Sequence, residues 1–244
     1  MQKVIQLPST SSTNNYAAKL IADGDESGIT VIMTYNQPQG KGQRGNSWQS
    51  EAGKDIATSF LTHPNLPAAQ AFNWSMWFSL WIIQFLKNEY QVAAKIKWPN
   101  DILVDQKKLA GILIENQLQG KSIAHCITGV GINVNSGDSN HPNSTSLSAL
   151  VDREIALQEL ADKLSSDFFS SYPNFALTHE PSLRNVYQRH LFGYEQVQRF
   201  FHEKEGEITA KNKGVSPEGL LILEVLTPIE KTIKCDLKEV KLLV

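Results

Sequence analysis

Residues 37 to 48, QPQGKGQRGNSW, carry three glycines, a lysine, an arginine and several amides, and run straight into a tryptophan. Gly40, Gly42 and Gly45 let the backbone turn several N–H groups toward one point, and Lys41 and Arg44 add positive charge, so the loop suits an anion such as phosphate or carboxylate. A second cluster, KWPND at 97 to 101, is followed by Lys108. Proline removes a ladder hydrogen bond and Asn-Asp favours a turn, so this run conflicts with the strand pattern around it, and such local conflict marks functional sites. Lys108 begins the returning strand of a hairpin, from which its ammonium can be aimed back toward Asp101. Taken singly, the two stretches also read as a solvated turn and an exposed hairpin lysine. Their joint occurrence favours a site.

The elements that must position these residues follow from periodicity. GITVIMTYNQ before the loop and DIATSFLT after it read as strands, so the glycines join strand to strand. Phosphate-binding loops of the strand–loop–helix kind need a helix N-terminus directly after the glycines, and that spacing is absent. A Ser/Thr cluster ahead of Asn14 and a glycine at 24 predict a short helix over 14–22 as the start of the fold. From Ala68 to Lys87, Phe72, Met76, Leu80 and Ile83 recur at helical spacing, with Trp77 and Trp81 widening the stripe. This is a core helix whose aromatics are packing. AKIKWPNDILVDQKKLAGILIENQ alternates as two strands about a polar turn at 105–107, IAHCITGVGINVN is a further strand, and Leu157, Leu160, Leu164 and Phe168 mark a second long helix. After Leu191 the pattern changes to short strands. The expected architecture is an α/β fold of the α+β type, with a mixed-sheet domain over 1–186 and a small β barrel over 187–244.

The chain has 244 residues, 41% of them hydrophobic, and a formal net charge of −2, which gives no sign of a nucleic-acid or anionic-membrane partner and suits a small-molecule site. No apolar run reaches membrane-spanning length, the first residues lack a signal-peptide pattern, and the only cysteines, Cys126 and Cys235, read as buried free thiols. A soluble cytoplasmic protein is expected.

SSTN at 11–14, QPQGKGQRGNSW at 37–48, KWPNDILVDQKKLAGIL at 97–113 and GVGINVN at 129–135 occur in the order and approximate spacing of biotin protein ligases. The chain resembles that family over nearly its whole length, and its C-terminal part is similar to the SH3-like β barrel that ends these enzymes. Because the pattern starts within the first dozen residues, the resemblance is to the single-function form without the DNA-binding domain. It implies an ATP-dependent, AMP-forming ligase that converts biotin to biotinyl-5'-AMP, with Mg²⁺, and transfers it to a lysine of a biotin carboxyl carrier protein.

The resemblance also implies roles residue by residue. Lys108 is the fixed cation of catalysis, Asp101 orients the acceptor lysine, and Arg44 orders the loop and the phosphates. Gly40, Lys41, Gly42 and Gln43 lie along biotin's tail, while Ser12, Thr13, Asn14 and Gln37 meet its ureido ring. Gly111 and Gly131 let the backbone approach the ligand. Asn46, Trp48, Asn100 and Asn133 serve the nucleotide side. Many family members carry arginine at the positions of Lys41, Gln43 and Asn46, so this loop is less cationic than the common pattern. A lipoate or octanoate ligase of the same fold and a non-catalytic biotin sensor are the alternatives.

Overall fold

The computed structural model describes residues 1–25, 28–136, 143–178 and 180–243, the side chain of Arg44 excepted. The chain begins with a strand, β1 (Gln2–Leu7), and not with the expected helix, which follows as α1 (Thr13–Ala22). β1 was hidden because it lies at a sheet edge, where its QKVIQL alternation is only half covered. Next come β2 (Ile29–Thr34), the short pair β3 (Gly40–Lys41) and β4 (Ser47–Trp48), β5 (Ile56–Thr62) and β6 (Leu66–Pro67). The long helix α2 spans Ala71–Tyr90. The KWPND region gives three strands where two were expected: β7 (Lys95–Lys97), β8 (Asp101–Val104) and β9 (Lys107–Gln119). Pro99 cannot donate to a ladder, so the chain turns at 98–100 before pairing again. β10 (Ser122–Ile132), α3 (Leu147–Val151), α4 (Leu157–Ser171) and α5 (Glu180–His190) complete the first part.

These strands form one mixed sheet in the order β1-β2-β5-β10-β9-β8-β7, with β6 added beside β10; only the β1–β2 pair within it is parallel. Alternation along the strands decides what each face meets. Ile56 and Phe60 of β5, Val130 and Ile132 of β10 and Ala110 and Ile112 of β9 join Trp74, Phe78 and Ile82 of α2 and Leu164 and Phe168 of α4 in the main core. Leu61 and Ile127 point the other way and pack under α1, against Ala17 and Leu20. One sheet face is thus fully covered. The other is covered by α1 at one end only.

The expected C-terminal β module is present as β11 (Val197–His202), β12 (Gly206–Val215), β13 (Leu221–Thr227), β14 (Lys231–Cys235) and β15 (Val240–Leu243). They form a five-stranded antiparallel sheet, ordered β14-β13-β12-β11-β15, around Phe200, Ile208, Leu223 and Val225. Among the described residues its end strands β14 and β15 do not pair with each other, so the ladder does not close. Both cysteines are free and buried, Cys126 in the main core and Cys235 in the smaller one. No helix among the described residues is long and apolar enough to cross a membrane.

Candidate functional site

The half of the sheet that α1 leaves uncovered is floored by small residues in adjoining strands. Register places Ala57 of β5 beside Gly131 of β10, Gly131 beside Gly111 of β9, and Gly111 beside Asp101 of β8. This cross-strand row is almost free of side chains until it reaches a carboxylate. Above it lies a cavity of about 630 Å³, a size ordinary for a small-molecule site.

Lys108 reaches the same face through a bulge. Gly111 pairs with Asp101, but Lys108 pairs with Leu103, so one extra residue of β9 is accommodated between them. In an unbroken ladder Lys108, three residues from Gly111, would point to the opposite face, because side chains alternate along a strand. With the bulge, Lys108 Nζ and Asp101 Oδ1 are 2.6 Å apart, both partly shielded from solvent. The Lys108 backbone is held by a bond from its N–H to Asn143 O (2.8 Å), and its carbonyl accepts from Thr145 N (3.0 Å). Asn133 Nδ2 donates to the Lys108 and Thr145 carbonyls at 3.2 and 3.1 Å. Asn133, given to the nucleotide by resemblance, stands here behind the wall as the clamp on Lys108, outside the cavity lining.

The opposite end of the cavity is neutral and rich in hydrogen-bonding groups. Ser12 caps α1, its hydroxyl accepting from Asn15 N. Gln37 Oε1 accepts from Thr13 N at 2.8 Å and from Thr13 Oγ1 at 3.3 Å. Ser59 Oγ lies 2.7 Å from Thr13 Oγ1 and 2.6 Å from Asn14 Oδ1. A hydroxyl has a single proton, so it can donate to only one of these oxygens at a time, and the buried cluster holds an acceptor for a ligand N–H. Asn14 Nδ2 is engaged by Glu115 Oε2 at 2.7 Å. Gly129 must be glycine here, since a Cβ would collide with the Asn14 amide.

The glycine-rich loop forms the lid. β3 and β4 pair Gly40 with Trp48 and Lys41 with Ser47, and the intervening 3-10 turn closes through Gly42 N to Asn46 O (2.7 Å) and Asn46 N to Gln43 O (3.2 Å). Gly45 takes a φ of +81°, open to glycine at little cost. The Trp48 indole lies on the glycine floor: a Cβ on Gly131 would overlap it, and one on Gly111 would be 2.9 Å from Cζ3. Lys108 Nζ is 5.2 Å from the ring centre, within cation–π range. The Trp48 Nε1 is buried without a hydrogen-bond partner. Lys41 Nζ donates to Asn15 Oδ1 at 2.7 Å.

Of the residues singled out in the sequence, Ser12, Thr13, Asn14, Gln37, Lys41, Gly42, Gln43, Asn46, Trp48, Asn100, Asp101, Lys108, Gly111 and Gly131 all line this one cavity. Gly40 lies just outside it, where a Cβ would press on the Gln37 amide and the Trp48 backbone. The Arg44 side chain, and with it the role given to it, falls outside the described residues. Asn100 is tied to β9 by its Nδ2 to Ile112 O at 2.6 Å. Sequence reasoning missed Ser59, Gly129 and Trp98. It also missed the far wall, to which the C-terminal sheet contributes Gln198, Phe200, Phe201 and residues 237–242. Trp98 lies inside the singled-out KWPND run but was given no role, and Gly129 lies in the GVG of 129–131, where a glycine inside a strand pattern often marks a close approach; Ser59 and the far wall have no local signal.

A family model described as "Biotin/lipoate A/B protein ligase family" matches residues 6–133. A bifunctional ligase/repressor BirA of Bacillus subtilis is 26% identical over 233 residues, 93% of this chain and 71% of that protein. A biotin–[acetyl-CoA-carboxylase] ligase of Paracoccus denitrificans is 35% identical over 130 residues, 52% of this chain and 53% of its own length. The biotin protein ligase of Aquifex aeolicus, solved in complex with biotin and ATP, superposes with a TM-score of 0.74 at 23% identity, covering 98% of each chain, a likeness that speaks for the fold.

Proposed function

The chain belongs to the biotin/lipoate A/B protein ligase family, and from that premise we propose that it is an ATP-dependent biotin ligase, which forms biotinyl-5'-AMP and transfers the biotinyl group to a lysine of a carrier protein. The observation that carries this reading is the polarity of the cavity from end to end. The buried Ser–Thr–Asn–Gln cluster suits a neutral cyclic urea, whose N–H and C=O groups must be satisfied when buried. The floor of Ala57, Gly131 and Gly111 suits an apolar ring and tail. The Lys108–Asp101 end suits a carboxylate on its way to becoming an acyl phosphate.

In the first step a carboxylate oxygen of biotin attacks the α-phosphorus of ATP, a new P–O bond forms, and the bond to pyrophosphate breaks with its electron pair leaving on pyrophosphate. Two anions must approach, at a repulsion of roughly 4 kcal/mol for unit charges about 4 Å apart at an effective dielectric near 20. The Lys108 ammonium, held by its backbone clamp, offsets that repulsion without reorganising. The loop N–H at Gln43 is proposed to add to the positive side, and Arg44 is assigned to the phosphates. Asp101, a carboxylate of the cavity lining, would be available to Mg²⁺ bound to the phosphates, which would supply neutralisation of phosphate charge. In the second step the carrier's amine attacks the acyl carbon, AMP leaves with the C–O electron pair, and Asp101 orients the amine and accepts its proton.

The acceptor is a biotin carboxyl carrier domain, and the compartment is the cytoplasm, in keeping with two unpaired cysteines. The proposed division into a ligase domain, 1–186, and a β module, 187–244, falls inside α5, a helix that packs into the main core through Leu183 and Tyr187. Biotin-dependent exchange of radiolabelled pyrophosphate into ATP tests the reading. Exchange with biotin supports it. Exchange only with lipoate or octanoate would reassign the substrate, and saturable biotin binding without exchange would make the protein a sensor.

A further inference from the structure

The mechanism above uses Asp101 and Lys108 but does not explain what fixes the turn at 98–100 from which Asp101 emerges. On one side Asn100 ties that turn to β9, through its Nδ2 to Ile112 O (2.6 Å) and its own carbonyl accepting from Ile112 N (2.9 Å). On the other side the partner is 121 residues away in sequence: Trp98 Nε1 donates to Gly219 O at 2.9 Å. The Trp98 ring is partly buried, packs against both the main core and the C-terminal core, and lines the cavity. It is a side chain shared by both cores and by the site.

Gly219 is itself firmly seated. It belongs to the tight turn between β12 and β13, where Gly219 N donates to Ser216 O (3.0 Å), Ser216 N to Leu220 O (2.9 Å) and Leu220 N to the buried Ser216 Oγ (3.2 Å). Its φ of +92° disfavours any side chain, and a Cβ there would run into the ring of Phe72 at the start of α2. Phe72 in turn meets Tyr187 of α5 edge-to-face, with centroids 5.7 Å apart. The turn is therefore wedged between the first helix turn of α2 and the Trp98 indole.

We infer that the 216–220 turn of the C-terminal module acts through Trp98 as a positioning device for the Asp101–Lys108 pair, with the Gly219 carbonyl and the Trp98 N–H as its point of action. This deepens the ligase reading and rests on it. Asp101 lies three residues after Trp98 and pairs with Lys97 across the turn, so a shift of the indole moves the carboxylate and, through their 2.6 Å ion pair, the lysine. Electrostatic stabilisation depends on placement to within about an ångström, so such a shift lowers turnover more than it lowers stability. The C-terminal sheet is then a working part of the ligase.

The test uses the full chain and the pyrophosphate exchange assay at saturating biotin and ATP, with thermal melting in parallel. Trp98→Phe keeps the ring and removes the donor. Gly219→Ala pushes the turn away from Phe72. Gln188→Ala is the structural control: Gln188 Oε1 accepts from Val215 N at 3.2 Å, a bond from α5 to the end of β12 that lies away from the site. The expected result is a fall of roughly tenfold or more in kcat for Trp98→Phe and for Gly219→Ala. Gln188→Ala should keep the wild-type kcat at a similar loss of Tm. Because both site variants act through one contact, the Trp98→Phe/Gly219→Ala double variant should be no slower than the slower single. Wild-type kcat in Trp98→Phe, or multiplicative losses in the double variant, would overturn the inference. Should Trp98→Phe fail to fold, Gly219→Ala against Gln188→Ala decides alone. Exchange by the wild type tests the ligase reading separately, so the two failures are distinguishable.

Discussion

At the scale of single residues, the structure joins the two cationic roles that the sequence had offered to different lysines and sorts them. Lys108 lies on the glycine floor, over the Trp48 ring and against Asp101, while Lys41 is engaged by Asn15 on α1. These contacts support the proposal that Lys108 supplies the charge that meets the developing acyl phosphate. Lys108→Ala should slow biotinyl-AMP formation by roughly 10² to 10³, the range for deleting one preorganised electrostatic donor. Its stability should change by no more than about 1 kcal/mol, because the ion pair it gives up is partly solvated. Single-turnover formation of biotinyl-AMP, together with a urea melt, checks both halves. A well-folded Lys108→Ala protein that adenylates at the wild-type rate would move the role to Lys41 or Arg44.

At the scale of elements, the loop of 38–47 has few anchors. Its β3–β4 pairing is two residues long, and it is tied to the start of α1 by Gln39 N to Ser11 O at 3.2 Å and by Lys41 Nζ to Asn15 Oδ1 at 2.7 Å. Such a segment opens at low free energy, and ligand contacts should close it. Hydrogen exchange should slow at 39–48 when biotin and ATP are added while β5 and β10 stay unchanged, and equal exchange in both states would refute this closure. Much of the framework was legible for a physical reason: α2 and α4 carry stripes at helical spacing, and glycine, proline and lysine inside strand patterns announce loops and sites. β1 and α5 were not legible, because β1 is a half-covered edge and α5, EPSLRNVYQRH, buries only Leu183 and Tyr187. The row Ala57–Gly131–Gly111–Asp101 could not be read either, since it exists only across strands, and the bulge that turns Lys108 to its face depends on a register that sequence does not display.

At the scale of the whole molecule, two cores share one cavity, and each core contains one cysteine. Burial pushes the Cys126 thiol up to about 12 and the Cys235 thiol up to about 11, so neither forms the reactive thiolate at pH 8 while its core is intact. Once unfolded, both return to an ordinary value near 8.5 and become reactive. The modules are linked by Trp98 to Gly219 and by Phe192 N to Ile96 O at 2.8 Å, and this linkage predicts one cooperative unit. In rising urea, a short pulse of iodoacetamide followed by peptide mass analysis should find Cys126 and Cys235 labelled with the same midpoint. Biotin plus ATP should then move both midpoints together, by an amount equivalent to about 2.7 kcal/mol at a hundredfold excess over Kd, because residues of both modules line the ligand cavity. Labelling of Cys235 at lower urea than Cys126, unaffected by the ligands, would show that the C-terminal sheet unfolds alone and that its wall of the cavity takes no part in binding.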